Sequence, residues 1–256
     1  MSSLDELVKT RAVIQARMGS TRLPGKVMRL LCGVTVLAHV VRRVQACRLV
    51  DEVVVATSNL PGDDIVAEEA HRAGVSVVRD SEEDVLARVY KAARGADVIV
   101  RVTADCPLFD PKILEQMLER FYALQSWRRV DYLSNTLIRT FPVGLDAEVM
   151  TIEALERAHR EATDPYEREH VTPYIYRHPE RFVLEPFVGS PDLSAYRWTL
   201  DTEEDYTFLR QVFEALCGEE YPFGLKQVLA LLKARPHLAR YERRPDATWG
   251  PSSVIG

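Results

Sequence analysis

Short apolar runs alternate along this chain with stretches of helical spacing, and that alternation constrains the fold more than any other feature. Val13, Ile14 and Ala16 make a first run, residues 53–56 a second, 75–78 a third and 98–102 a fourth. Runs that are apolar on both faces suit buried parallel strands. Between them Val36, Leu37, Val40, Val41 and Val44 recur at helical spacing. Helical stretches follow over 63–73, where Gly74 suits the C-cap, and over 84–94, ending at Gly95. Strands that alternate with helices imply βαβ units and a parallel sheet with right-handed crossovers. After about Ser126 the pattern is mixed: strands are expected over 131–135, 145–150 and 197–200, with helices over 152–161 and 203–216. The expectation is an α/β domain with a smaller α+β lobe, and an irregular tail from about His237.

In open α/β sheets, ligands bind beyond the carboxyl ends of the strands. Three chemically loaded segments stand at expected strand ends: 15–26, 103–107 and 201–205. The first reads Q-A-R-M-G-S-T-R-L-P-G-K, in which Arg17, Arg22 and Lys26 are interleaved with Gly19, Ser20 and Gly25. Glycines let backbone N–H groups approach phosphate oxygens, arginine offers a bidentate fork and lysine a mobile point charge. A triphosphate needs this combination. The loop, which opens with Gln15 and Ala16, is neither a Walker A motif nor a G-x-G-x-x-G dinucleotide loop. Asp105, in T-A-D-C-P-L, and Asp201, in W-T-L-D-T-E-E-D-Y, supply hard oxygen ligands at neighbouring strand ends. One magnesium ion bound by both carboxylates and by substrate phosphates fits that arrangement. Asp201 also suits an N-cap of the helix that follows, although Thr202 is an equal candidate for the cap, and Asp205 is a weaker candidate ligand.

A net charge of -5 argues against nucleic acid as the main partner. The four cysteines, Cys32, Cys47, Cys106 and Cys217, form no C-x-x-C pair and have no histidine at zinc spacing, so reduced thiols are expected. No run approaches the ~18 apolar residues of a membrane span, and residues 1–10 hold no apolar leader segment, so a cytoplasmic location is expected.

With these residues in hand, the chain resembles the cytidylyltransferase family that includes the SpsF-type spore-coat polysaccharide proteins. More distantly it is similar to the acylneuraminate and 3-deoxy-manno-octulosonate cytidylyltransferases. The likeness runs over about 11–217, on the loop 15–26, S-E-E-D-V-L-A-R-V-Y (81–90), R-V-T-A-D-C-P-L (101–108), F-P-V-G-L-D-A-E-V (141–149), E-R-E-H-V-T-P-Y-I-Y (167–176) and R-W-T-L-D-T-E-E-D-Y (197–206). It implies an α/β nucleotide-diphospho-sugar-transferase (GT-A-like) fold with a mixed, mostly parallel sheet. The small lobe would span about 131–190, and 1–10 and 218–256 would be extensions. It implies that Arg17, Gly19, Ser20, Arg22 and Lys26 hold the triphosphate of CTP, and that Asp105 and Asp201 bind magnesium. Arg17, Lys26, Asp105 and Asp201 would then be catalytic, Gln15 and Ala16 would bind the nucleotide with the rest of the loop, Ser81, Asp84 and Arg88 would lie near it, and the protein would be a homodimer.

Asp84 and Arg88 also suit a simple i,i+4 helix pair. Asp146 and Glu148 alternate along an expected strand and so face one side, the side of an acceptor pocket. Arg168 and His170 suit an acceptor carboxylate or phosphate, and His170 equally suits a structural role. The function implied is transfer of CMP from CTP to a sugar or sugar-acid acceptor, with release of pyrophosphate, in surface polysaccharide or glycoconjugate precursor synthesis. Two alternatives stand beside it. A glycosyltransferase using a nucleotide-sugar donor would carry a D-x-D motif where T-A-D-C-P stands. Against a non-catalytic nucleotide-binding subunit, the intact basic loop together with both aspartates argues that the chemistry is retained.

Overall fold

The first apolar run forms β1 (Thr10–Gln15), whose Ala12, Val13 and Ile14 are wholly buried because helices cover both of its faces. The structure, a computed structural model, describes residues 8–218 and 221–238. A small hairpin of β2 (Leu30–Leu31) and β3 (Val34–Thr35) leads into α1 (Val36–Gln45), capped by Thr35. β4 (Glu52–Ser58), α2 (Asp64–Arg72), β5 (Ser76–Asp80), α3 (Val85–Ala93) and β6 (Val98–Thr103) then alternate as the sequence predicts. Gly74 and Gly95, at φ 77° and 84°, take the left-handed conformation just beyond the helix ends that glycine suits.

One long helix is absent from the sequence expectations. α4 (Pro111–Gln125) is capped by Asp110 and starts on Pro111. Its Ile113, Leu114, Met117, Leu118, Phe121 and Leu124 are all buried. The remaining elements are β7 (Tyr132–Ser134), β8 (Glu148–Thr151), α5 (Ile152–Glu161), α6 (Pro165–His170), α7 (Pro173–Tyr176), β9 (Leu184–Pro186), α8 (Glu203–Leu216) and α9 (Leu225–Ala234).

The main sheet has the order β5-β4-β1-β6-β8-β7-β9. β5, β4, β1 and β6 are mutually parallel, β8 is antiparallel to β6 and β7, and β9 is parallel to β7. The strands of the expected small lobe therefore continue the main sheet. The physical reason is two-sided burial: Leu133 and Val149 enter the core on one face, Tyr132 and Met150 the core on the other. α1, α2, α4, α8 and α9 cover the first face, while α3, α5 and α7 cover the second and α6 packs against α3 and α7.

The expected strand over 197–200 is not a strand. Arg197 makes a single bridge to Val143. The Trp198 N–H donates to the Val143 carbonyl at 2.6 Å and the Leu200 N–H to the Asp105 carbonyl at 2.8 Å. This segment is tied to two loops, so no neighbouring strand pairs with it. Gly144, at φ 105°, makes the crossing possible, since a Cβ there would lie 2.6 Å from the Thr199 nitrogen.

Residues 221–238, expected as an extension, join the larger core through Phe223, Val228, Leu231, Leu232 and Leu238. Of the expected extension and tail, residues 1–7 and 239–256 lie outside the described residues. No described helix is long and apolar enough to cross a membrane, and all four cysteines are free thiols.

Candidate active site

The basic loop is a closed structure. The Met18 N–H donates to Asp63 Oδ1 at 2.6 Å, fastening the loop to the end of β4. The Gly25 N–H donates to the Met18 carbonyl at 3.0 Å, and Gly25 turns the chain at φ 69°. Leu23 and Val27 are buried and anchor the loop in the core, whereas Thr21 and Arg22 stay exposed. Lys26 opens a short 3-10 turn that brings its ammonium over the ends of β1 and β6.

A cleft of about 260 Å³ opens at this edge of the sheet. Gln15, Ala16, Arg17, Gly19, Ser20, Arg22 and Lys26 line it together with Asp105 and Asp201. Asp105 follows β6, and Asp201 arrives on the crossing segment, held by the Leu200–Asp105 backbone bond.

Lys26 Nζ donates to Asp105 Oδ2 at 2.6 Å and to Asp201 Oδ1 at 2.8 Å. Burial alone would lower the lysine's pKa, but the two carboxylates outweigh it and push it up to about 12. Burial would raise the Asp105 carboxyl, but the charge and hydrogen bond of Lys26 hold it below its ordinary value. Asp201 also meets Arg22 at 3.3 Å and takes a hydrogen bond from Arg197. Arg17 is more loosely held, 3.9 Å from each of Glu82 and Glu169.

Capping at the start of α8 falls to Thr202 and Asp205, not to Asp201. Thr202 is the N-cap, and Asp205 completes a capping box by accepting the Thr202 N–H at 3.0 Å and the Asp201 N–H at 2.9 Å. Asp205 is thereby spent, while the Asp201 carboxylate faces the cleft.

The other candidate residues stand outside this cleft. Asp84 caps α3 and pairs with Arg168 at 2.5 and 3.0 Å, so the i,i+4 pair with Arg88 does not form. A capping carboxylate points back past its own helix start, away from the next turn. Arg88 is fully buried and donates to the carbonyls of Ser81 and Glu82, and the Ser81 hydroxyl accepts the Asp84 N–H at 3.1 Å. This turn flanks the basic loop through Glu82. Asp146 precedes β8 and is held by Arg139 at 2.7 and 3.0 Å. Glu148 is buried against Arg101, Tyr132 and Thr172. Arg168 also donates to the His159 carbonyl at 2.6 Å, and the His170 ring lies 4.3 Å from that of Tyr166. Burial lowers the His170 pKa, helped by Arg101 and Arg17 and opposed by Glu169.

Arg197 and Thr103 belong to the site without having been candidates: Thr103 lines the cleft and Arg197 grips Asp201. The signal for Arg197 was present, four residues before Asp201 in R-W-T-L-D.

The family model described as cytidylyltransferase matches residues 11–233. The spore coat polysaccharide biosynthesis protein SpsF of Bacillus subtilis is 36% identical over 244 residues, covering 91% of this chain and 98% of its own. A 3-deoxy-manno-octulosonate cytidylyltransferase of Trichlorobacter lovleyi is 38% identical over 114 residues, 43% of this chain and 44% of that protein. The solved structure of a cytidylyltransferase from Leptospira borgpetersenii superposes with a TM-score of 0.86 at 36% identity, covering 93% of this chain and 99% of that one. The mostly parallel seven-stranded sheet is thus of the nucleotide-diphospho-sugar-transferase type. With a basic loop and two converging aspartates at the carboxyl edge of that sheet, and a family match over nearly all of the described residues, the chain belongs to the cytidylyltransferase family of nucleotidyltransferases.

Proposed function

We propose that the cleft binds CTP with magnesium and transfers CMP to a hydroxyl oxygen of a sugar or sugar-acid acceptor, releasing pyrophosphate. The observation that carries this reading is the convergence of Asp105 and Asp201 on one cation beside the basic loop. Arg17, Arg22 and the Gly19–Ser20 backbone meet the triphosphate oxygens, and Lys26 adds a charge that persists at neutral pH.

The two carboxylates fit a magnesium ion. Both are hard oxygen donors aimed at a single point, and the described residues hold no cluster of three or more metal-binding side chains. The remaining ligands would be phosphate oxygens and water, as is usual for this ion. When bound, the ion supplies charge neutralisation at the α-phosphate and eases deprotonation of the attacking hydroxyl. Lys26, which neutralises both carboxylates in this structure, would then be available to the phosphates. The acceptor oxygen forms its bond to the α-phosphorus as the bond to pyrophosphate breaks in line, and catalysis is mainly positioning and charge stabilisation.

The acceptor class is supported by the relatives, one concerned with spore coat polysaccharide and one acting on 3-deoxy-manno-octulosonate. A homodimer is part of the same reading, and light scattering checks it directly.

An NTP panel with magnesium and pooled sugar-acid acceptors, followed by pyrophosphate release, tests the reading. Release with CTP, abolished by a chelator and restored by magnesium, is expected. Release with another NTP in place of CTP overturns the choice of base. CTP binding without release across the acceptor panel favours the non-catalytic subunit.

A further inference from the structure

A line of polar side chains crosses the sheet face beneath α3, α6 and α7 and ends at the cleft. Gln15, Arg101, Glu148 and Tyr132 stand on β1, β6, β8 and β7, four strands adjacent in the sheet. Arg101 is directly opposite Glu148. Gln15 and Tyr132 are their diagonal neighbours, because Gln15 is in register with Thr103 and Tyr132 with Met150.

Hydrogen bonds join the whole line. Arg101 donates from Nη2 to Gln15 Oε1 at 2.9 Å and from Nη1 to Glu148 Oε2. Glu148 Oε1 accepts the hydroxyls of Tyr132 and Thr172, each at 2.6 Å. Thr172 is delivered by a strained turn: Val171, fully buried, sits at φ 75° and ψ -60°, and the Thr172 N–H donates to the His170 carbonyl at 3.0 Å. This is a γ-turn of the rare hand, costly for a β-branched residue and maintained only where the surroundings over-determine it.

A buried ion pair is an expensive way to fill a sheet face, and its best-attested use is to fix one arrangement among several. What this one fixes is the amide of Gln15. A guanidinium has only donors, so the glutamine must turn its oxygen toward Arg101. The end of the amide left for the cleft, which Gln15 lines, is its NH2 donor. A neutral donor adds little for phosphate, because the cations of the same loop make charge-assisted bonds roughly twice as strong.

We infer that Gln15 presents its amide NH2 to a neutral oxygen of the nucleoside part of the bound nucleotide. Arg101, Glu148, Tyr132 and Thr172 act as positioning residues that hold the amide in that orientation. The inference rests on the reading that a cytidine nucleotide occupies the cleft. It adds a neutral recognition point on β1 to the ionic ones on the loop.

Calorimetric titration of the full chain with CTP, CMP and inorganic tripolyphosphate tests it. Gln15→Met removes the donor without adding charge, and Gln15→Glu keeps an oxygen for Arg101 but has no NH2. In both, CMP affinity is expected to fall by about 5–10-fold, the worth of one neutral hydrogen bond. Tripolyphosphate affinity is expected to stay unchanged in Gln15→Met. The double variant Arg101→Met/Glu148→Gln is expected to lose CMP affinity similarly, and adding Gln15→Met to it should cost little more.

Unchanged CMP affinity in Gln15→Met overturns the inference. Equal losses for CMP and tripolyphosphate also overturn it, by assigning Gln15 to the phosphates. A double variant with wild-type CMP affinity overturns the positioning role alone. A wild-type chain that binds tripolyphosphate but neither CMP nor CTP overturns the proposed function and this inference with it.

Discussion

At the cleft, Asp105 and Asp201 share one lysine, and Asp201 draws Arg22 and Arg197 as well. The candidate carboxylates outside the cleft each have one arginine: Glu148 has Arg101, Asp84 has Arg168 and Asp146 has Arg139. The cleft cluster has more cations than carboxylates and lines the cleft, as the proposed exchange of partners with a bound nucleotide and cation requires. In the dedicated pairs the carboxylate oxygens are satisfied by hydroxyls, a helix cap or a bidentate fork. Carboxylates that look alike in a sequence thus divide into those that share a cation in the cleft and those that hold a dedicated partner elsewhere in the fold. Breaking one kind should cost activity, and breaking the other should cost stability.

The largest effect is expected at the buried pair. Glu148→Ala leaves the Arg101 charge uncompensated and should lower unfolding free energy by about 3–5 kcal/mol. Urea denaturation at neutral pH measures this, and a loss below about 1 kcal/mol would place Glu148 among the exchangeable groups.

The cleft should respond in the other currency. Lys26→Ala or Asp105→Ala should cut turnover by about 10²-fold or more, the scale of one preorganised charge contact. Pyrophosphate release under saturating CTP reads this out, and near-wild-type turnover in both variants would sink the residue assignment. Lys26→Ala carries a pH signature too. Burial raises the Asp105 carboxyl and Lys26 holds it down, so without the lysine Asp105 gains its proton at higher pH. Titration of the metal-free variant, followed by carboxyl-carbon NMR, should show the Asp105 carboxyl moved upward, not downward.

The smallest effect is expected at Asp84, where the carboxylate is about a third exposed. Asp84→Ala loses a helix cap worth about 1 kcal/mol, and the partly screened pair with Arg168 adds only tenths. Thermal unfolding measures it, and Asp84→Ser, which keeps a capping oxygen, should recover most of the loss.

The parallel half of the sheet was legible because its signals are local. Val53 to Val55 are apolar on consecutive positions, Val36 to Val44 keep helical spacing, and Gly74 and Gly95 mark helix ends. The loop residues were legible for the same reason, since all lie within twelve consecutive positions after one strand. α4 went unassigned although Pro111 and the spacing of its buried residues announce it. The segment 197–200 has the composition of a strand, yet it lies across two loops, because only Gly144 leaves room for that path. Asp84 and Arg88 have the spacing of a pair and do not form one, because capping turned the aspartate toward another helix.

By itself, then, the sequence determined the order and kind of most elements, the placement of the basic loop after β1, and the identity of the two cleft aspartates. Hydrophobic periodicity, caps and glycine turns act within a few residues, so they can be read along a line. Only the tertiary structure decided which cation each carboxylate meets. Lys26 reaches Asp105 across 79 positions and Asp201 across 175, and Arg101 meets Glu148 across 47. Such partners are chosen by strand register and by the path of a crossing segment, and both are set by packing, not by spacing along the chain.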